Sequence, residues 1–187
     1  QLLRGCGIEV RVGGNIGTPA ISLAERATPE TVIAVELSSF QLETIQTFRP
    51  KVAVVLNVTP DHLDRHRTLE VYVNAKARIF ENQQGSDFAV LNADDPTCVA
   101  MAARTRAQVF WFSRQKEVEQ GAWVRDGNIV FRDQRGQREV LEVSEIPLKG
   151  AHNLENVLAA VCAGALMGCA PDKIQQAVHN FKAVEHR

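Results

Sequence analysis

The sequence predicts an α/β fold, a mostly parallel sheet flanked by helices, with a small antiparallel hairpin segment. Three observations predict it. Short β-branched apolar runs alternate with stretches of helical spacing, the signature of strand–helix–strand layering. Two of the runs, TVIAVEL at 31–37 and KVAVVLNV at 51–58, are apolar almost throughout, as in strands covered on both faces. After Ser113 the pattern changes to apolar–polar alternation broken by Asp126-Gly127 and Arg135-Gly136, as in hairpins exposed on one face.

Taken in order, residues 8–12 form a strand ending in Gly13-Gly14, and residues 18–26 a helix with Pro19 at a tolerated early position. The strands at 31–37 and 51–58 follow. Residues 69–80 have helical spacing, with Leu69, Tyr72, Val73, Ala77 and Phe80 on one side. Residues 87–91 are a third buried-type strand, 96–104 a helix and 108–112 a fourth strand. Alternation over 123–132 and 138–143 gives the hairpin segment, residues 114–148, read as a ribbon inserted in or appended to a single domain spanning 1–187. Residues 153–167 are a long alanine- and leucine-rich helix, and Pro171-Asp172 opens a last one over 171–181.

Composition bounds the function. With 45% hydrophobic and 23% charged residues the 187-residue chain is of globular type and can bury a core. A net charge of -1 gives no bulk attraction to nucleic acid or to an anionic membrane, so a phosphate-bearing ligand needs a local site. No apolar run approaches the roughly 20 residues of a membrane span. Cys6, Cys98, Cys162 and Cys169 form no CxxC pair, and Cys162 and Cys169 read as core thiols, so a reducing, cytoplasmic setting is expected. The first residues lack the features of a signal peptide, and both ends are expected to be cut from something longer.

Ligands of doubly wound sheets sit beyond the carboxyl ends of the strands, and two polar clusters fall there. In Glu36-Leu37-Ser38-Ser39-Phe40-Gln41, Glu36 suits a hard cation such as Mg²⁺, while Ser38 or Ser39 equally suits a helix cap. In Asn57 to His66, the residues Asp61, His62, Asp64 and His66 offer metal ligands or a general base, or else Asp61 or Asp64 caps a helix. Lys76 reads by pattern as a surface lysine, although its alanine neighbours leave room for close approach. The segment Gly13 to Gly17 is either an anion-binding turn or a bare one. Asn153 and Asn156 share a helix face and suit an adenine edge, with capping by Asn153 the alternative reading.

Together GGNIGTPA (13–20), VELSSFQLE (35–43), LNVTPDHLDRH (56–66), AKARIFENQ (75–83), LNADDP (91–96) and GAHNLENVLAA (150–160) resemble the Mur ligases, in family order and over essentially the whole chain. GGNIG and ELSSFQLE are similar to the branch that adds D-glutamate. The resemblance implies an ATP-dependent acid–amino-acid ligase of peptidoglycan synthesis. In it a carboxylate is phosphorylated and an amine attacks the acyl phosphate. The substrates implied are UDP-N-acetylmuramoyl-L-alanine and D-glutamate, and the parent protein is expected to be a monomer. It also implies two Mg²⁺ ions, with Glu36 ligating the ion on the ATP phosphates and His62 the second. Lys76 would be carbamylated and help to hold that second ion, so His62 and Lys76 are the implied catalytic pair. Asn15, Ser38 and Gln41 would line the muramoyl-peptide site, and Asn153, Asn156 and Arg187 the nucleotide. The sequence holds no GxxxxGK[ST] phosphate loop, and in the family that loop precedes GGNIG. Weak ATP affinity and no ligation by the 187 residues alone are therefore expected.

Overall fold

The computed structural model describes residues 1–59 and 63–181. In chain order the elements are α1 (Leu2–Gly5), β1 (Val10–Gly14), α2 (Ala20–Ala24), β2 (Val32–Glu36), α3 (Ser39–Leu42), β3 (Val52–Val55), α4 (Leu63–His66), α5 (Leu69–Ala77) and β4 (Phe88–Asn92). They continue with α6 (Pro96–Met101), β5 (Gln108–Ser113), β6 (Gly121–Arg125), β7 (Asn128–Asp133), β8 (Gly136–Glu142), α7 (Ala151–Leu166) and α8 (Pro171–His179). Single 3₁₀ turns extend α5 and α6.

The main sheet runs β3-β4-β5-β6-β7-β8, parallel from β3 to β6 and antiparallel thereafter. Its strands sort their side chains with a period of two. Val52, Val54, Phe88, Val90, Phe110 and Phe112 face a core shared with α1, α7 and α8, whose contributions include Leu158, Val161, Ile174 and Val178. Ala53, Val55, Ala89 and Leu91 face the other way, onto Tyr72, Ala77 and Phe80 of the α5 stretch and Cys98 and Met101 of α6. Each large residue sealed in this way, Phe112 or Leu91 for example, contributes about 1.5–3 kcal/mol over exposure. A one-residue slip of any central strand would exchange the two sets, so the register is strongly specified.

Two expectations are corrected. Residues 32–35 of β2 are half-buried throughout, not covered on both faces. Among the described residues the strand pairs with β1 alone, in a two-stranded parallel sheet with Val10 opposite Val32 and Gly14 opposite Glu36, so few layers meet it. The hairpin strands, for their part, are not exposed on one face. Ala122 and Phe131 enter the α7 core, while Trp123 and Val130 enter a small cluster with Ala93 and Val118. The loop over 114–120 supplies that cover, and the Arg132 guanidinium lies 4.7 Å from the centre of the Trp123 ring.

The meander also continues the main sheet instead of hanging from it, because β6 pairs parallel with β5 over Trp111–Ser113 and Gly121–Trp123. Parallel neighbours ordinarily need a crossover of a dozen or more residues. Here the pairing is confined to the last three residues of β5, so a short loop suffices. Gly121 permits it: a Cβ there would sit 1.8 Å from the Trp111 carbonyl oxygen, and its φ is +127°. Among the described residues no helix is long and apolar enough to cross a membrane.

Candidate functional site

The first strand exit is that of β2. Glu36 ends the strand exposed, beside Gly14 of β1. The backbones are pressed together there: the Asn15 N–H donates to the Glu36 carbonyl at 2.7 Å and the Gly14 N–H to that of Thr18 at 2.8 Å. A Cβ at Gly14 would lie 2.3 Å from the Glu36 oxygen, and its φ is +110°. Those two N–H groups are spent on the turn, which favours the bare-turn reading of 13–17; the Asn15 side chain is exposed.

Ser38 then caps α3. Its hydroxyl accepts from the Gln41 N–H, and the Gln41 side-chain oxygen accepts from the Ser38 N–H at 2.9 Å, a complete capping box. Ser38, and not Ser39, is the cap. The Ser39 hydroxyl is buried and lies 2.9 Å from His66 Nε2.

The second exit is that of β3. His62 and Asp61 lie outside the described residues, as does Arg187. His66 is only 2% exposed, stacked on Phe40 at 5.3 Å and tilted against Tyr72 at 5.2 Å, whereas Asp64 is exposed. The two therefore sit in different surroundings, because His66 packs against α3 and α5 while Asp64 stays in solvent. Tyr72 in turn lies under the Lys76 ammonium, 5.0 Å from the ring centre. Lys76 is half-buried between the buried Ala75 and Ala77, and so is not the freely exposed lysine of the pattern reading. A contact ladder Lys76–Tyr72–His66–Ser39 thus joins the helix of Lys76 to the residues that follow Glu36. Arg78 adds to it by donating to the carbonyls of Glu43 and, at 2.8 Å, Ile45.

The third exit is that of β5. Arg114 donates to Glu155 of α7 at 2.8 Å. Beside it a cleft of about 400 Å³ is lined by Arg114, Ser144, Leu148, Lys149, Gly150 and Leu154, among others. Gly150 is the N-cap of α7, and Asn153 donates to the Lys149 carbonyl at 2.8 Å, so Asn153 is not the cap. Asn156 is exposed one turn on.

Comparison with known proteins bears on this arrangement. Residues 10–164 match the model of the Mur ligase middle domain. The chain belongs to that family. Two relatives carry the name UDP-N-acetylmuramoylalanine–D-glutamate ligase. The one from Koribacter versatilis is 58% identical over 187 residues, covering 100% of this chain and 41% of that protein. The one from Acidobacterium capsulatum is 53% identical, covering 95% and 39%. The chain therefore spans about 40% of the length of these relatives. Among solved structures, a UDP-N-acetylmuramoyl-L-alanyl-D-glutamate–2,6-diaminopimelate ligase aligns with a TM-score of 0.76 at 24% identity, over 98% of this chain and 42% of that one. The MurF ligase from Thermotoga maritima, in complex with ADP, aligns with a TM-score of 0.69 at 21% identity, over 98% and 45%. At these identities the structural likeness speaks for the fold.

Within this Mur ligase middle domain, the residues that brace the exits are ones the sequence reading quoted but did not use. Asn92 donates to the Leu56 carbonyl at 3.0 Å. Asp95 caps α6 through the N–H groups of Thr97 and Cys98, and its other oxygen accepts from the Val58 N–H at 2.9 Å. Asp94 turns the opposite way and accepts from the Ser113 hydroxyl at 2.6 Å and the Arg114 N–H at 2.9 Å. The segment LNADDP thereby fixes the loops after β3 and β5 from the strand between them. Three polar side chains, Asn92, Asp94 and Asp95, within four residues at a strand exit before a proline were the available signal. Nearby Cys98 is fully buried, which, with Asp95 close by, pushes its thiol up to about 12, so it is no nucleophile.

Proposed function

We propose that this chain is the nucleotide-handling middle domain of an ATP-dependent ligase that joins D-glutamate to UDP-N-acetylmuramoyl-L-alanine in peptidoglycan synthesis. The substrate carboxylate attacks the γ-phosphorus of ATP and ADP leaves; the D-glutamate amine then attacks the acyl phosphate and inorganic phosphate leaves. The observation that carries the reading is the ladder from Lys76 to Ser39, which holds two strand exits together at one end of the parallel strands. High identity to D-glutamate ligases along the whole chain supports the choice of amino acid.

Among the described residues no three His, Cys, Asp or Glu side chains converge as a metal cage. Glu36, an exposed carboxylate at a strand exit, is the kind of donor Mg²⁺ takes, since that ion is commonly held by one or two carboxylates, phosphate oxygens and water. Glu36, exposed at its strand exit, would hold the ion on the ATP phosphates, with His62 and a carbamylated Lys76 for the second. When bound, such ions offset the repulsion between the approaching anions. Carbamylation begins with loss of one proton from the Lys76 ammonium; the freed amine nitrogen then bonds the CO₂ carbon and loses a second proton, so a cation is replaced by an anionic oxygen donor. Asn15, Ser38 and Gln41 are assigned to the muramoyl-peptide side, and Asn153, Asn156 and Arg187 to the nucleotide. Four free thiols and the phosphorylated substrates suit the cytoplasm.

The test is phosphate release by the full-length protein. It should require ATP, Mg²⁺, UDP-N-acetylmuramoyl-L-alanine and D-glutamate together, and Glu36→Gln and Lys76→Ala should abolish it. Release with another amino acid in place of D-glutamate would refute the substrate assignment. A ¹³CO₂-derived carbamate resonance present in the wild type and absent from Lys76→Arg should report the modification; its absence from the metal-loaded wild type would refute that role. The 187-residue chain alone should be inactive.

A further inference from the structure

We propose that His66 is a positioning residue: it clasps α3, which starts three residues after Glu36, to α4, which starts directly after His62 in the sequence, and so sets the geometry of the divalent-cation site. The inference rests on the reading of Glu36 and His62 as metal ligands.

The clasp is built from buried contacts. The His66 ring is sandwiched between Phe40 of α3 and Tyr72 of α5, and Nε2 bonds to the Ser39 hydroxyl at 2.9 Å. Nδ1 is buried with no hydrogen bond, and Glu43 Oε1, 3.4 Å away, is not in line to accept one. A phenylalanine would pack as well without an unpaired nitrogen, so core packing alone does not call for histidine here.

The order Ser39–His66–Glu43 is that of a nucleophilic hydrolase relay. Ser39, however, is 3% exposed, so no substrate reaches its hydroxyl, and the hydrogen bond serves to hold the two elements. Helix α3 has four residues, too few to hold its own shape, so its position is set by what grips it. Besides His66, Arg65 lies 3.5 Å from the Glu43 carboxylate and 5.8 Å from the Phe40 ring centre, and Arg78 binds the carbonyls at the end of α3. Among the described residues, His66 is the grip on α3 that comes from α4 through the buried interior.

Groups that orient metal ligands typically change metal affinity 10–100-fold when lost. The experiment uses the full-length protein with a non-hydrolysable ATP analogue and Mn²⁺, read by electron paramagnetic resonance. His66→Phe keeps the ring stack and loses the hydrogen bond. It should weaken Mn²⁺ binding roughly tenfold and raise the half-saturating Mg²⁺ for phosphate release by the same factor, while a cooperative melting transition persists. Ser39→Ala should weaken binding in the same direction and add nothing in the His66→Phe background. His66→Gln, whose amide can meet the Ser39 hydroxyl, should recover most of the affinity. Unchanged Mn²⁺ binding in both His66→Phe and Ser39→Ala, or a His66→Gln as weak as His66→Phe, would overturn the clasp alone. A wild type that binds no Mn²⁺ would overturn the metal-site reading and the clasp with it.

Discussion

Asp95 offers the sharpest test of how the strand exits are held. Its Oδ1 accepts from Thr97 N–H at 2.8 Å and Cys98 N–H at 3.1 Å, and its Oδ2 from Val58 N–H at 2.9 Å. Asp95→Ala removes a helix cap, at a cost of about 1 kcal/mol. It also leaves the amide of the buried Val58 without a partner, at about 1–3 kcal/mol. The sum, about 2–4 kcal/mol, is a large part of the roughly 5–15 kcal/mol that folded domains possess. With a urea dependence of about 2 kcal/mol/M, the midpoint of the Trp111 and Trp123 fluorescence transition should fall by about 1–2 M with its slope unchanged. Asp95→Asn separates the two roles. Asparagine caps about as well as aspartate, but it turns an NH₂ toward Val58, so the loss should be close to the Val58 share alone. A midpoint for Asp95→Ala within about 0.3 M of wild type, or an Asp95→Asn as damaging as Asp95→Ala, would refute the account.

Other outcomes follow from the same structure. Gly14→Ala places a Cβ against the Glu36 carbonyl and should cost about 2–3 kcal/mol in urea denaturation, whereas Gly17→Ala, with φ +73° and open space, should cost only about 1 kcal/mol. Asp87 is held below the usual carboxylate range by its hydrogen bond from Arg49 at 2.6 Å, with the Gln84 N–H and Lys51 assisting. A lowered folded-state value means that its stabilisation is present above the unfolded value, near pH 4, and is lost as pH falls below it. Asp87→Asn should therefore lower the urea midpoint at pH 7 and converge on wild type in acid. Burial pushes the Cys98 and Cys169 thiols up to about 12 and raises that of Cys162 too, so a thiol reagent at pH 8 should modify at most Cys6 quickly in the native protein and all four after denaturation.

The parallel strands of the main sheet were readable in the sequence because a strand covered on both faces leaves an unbroken apolar run, and each lies within a few residues of its expected span. What was unreadable depends on contacts distant in sequence. Nothing local distinguishes a β2 that is half-covered from one that is buried, since its residues are the same in either case. Trp123 looked like part of an exposed ribbon because the cover comes from the loop that folds back over it. In the site, a cap by Ser38 or Ser39 was legible, but the choice of Ser38, its capping box with Gln41 and the separation of Asp64 from His66 were not. Those two residues are close in sequence, and only the packing of His66 against Phe40 and Tyr72 draws one inward while the other stays in water.

The two-way bracing by Asn92, Asp94 and Asp95 bears on modularity. A loop that stands on its own strand can be transplanted by copying its residues. The loop after β3 cannot, because the groups that hold its start are Asn92 and Asp95 of the next strand's exit, and Asp94 there commits the same turn to the loop after β5. A graft of residues 56–66 into another parallel sheet would need 92–95 to travel with it and a matching Ser113 to receive them. The three loops form one mechanical unit, and a change in any of them alters what holds the other two.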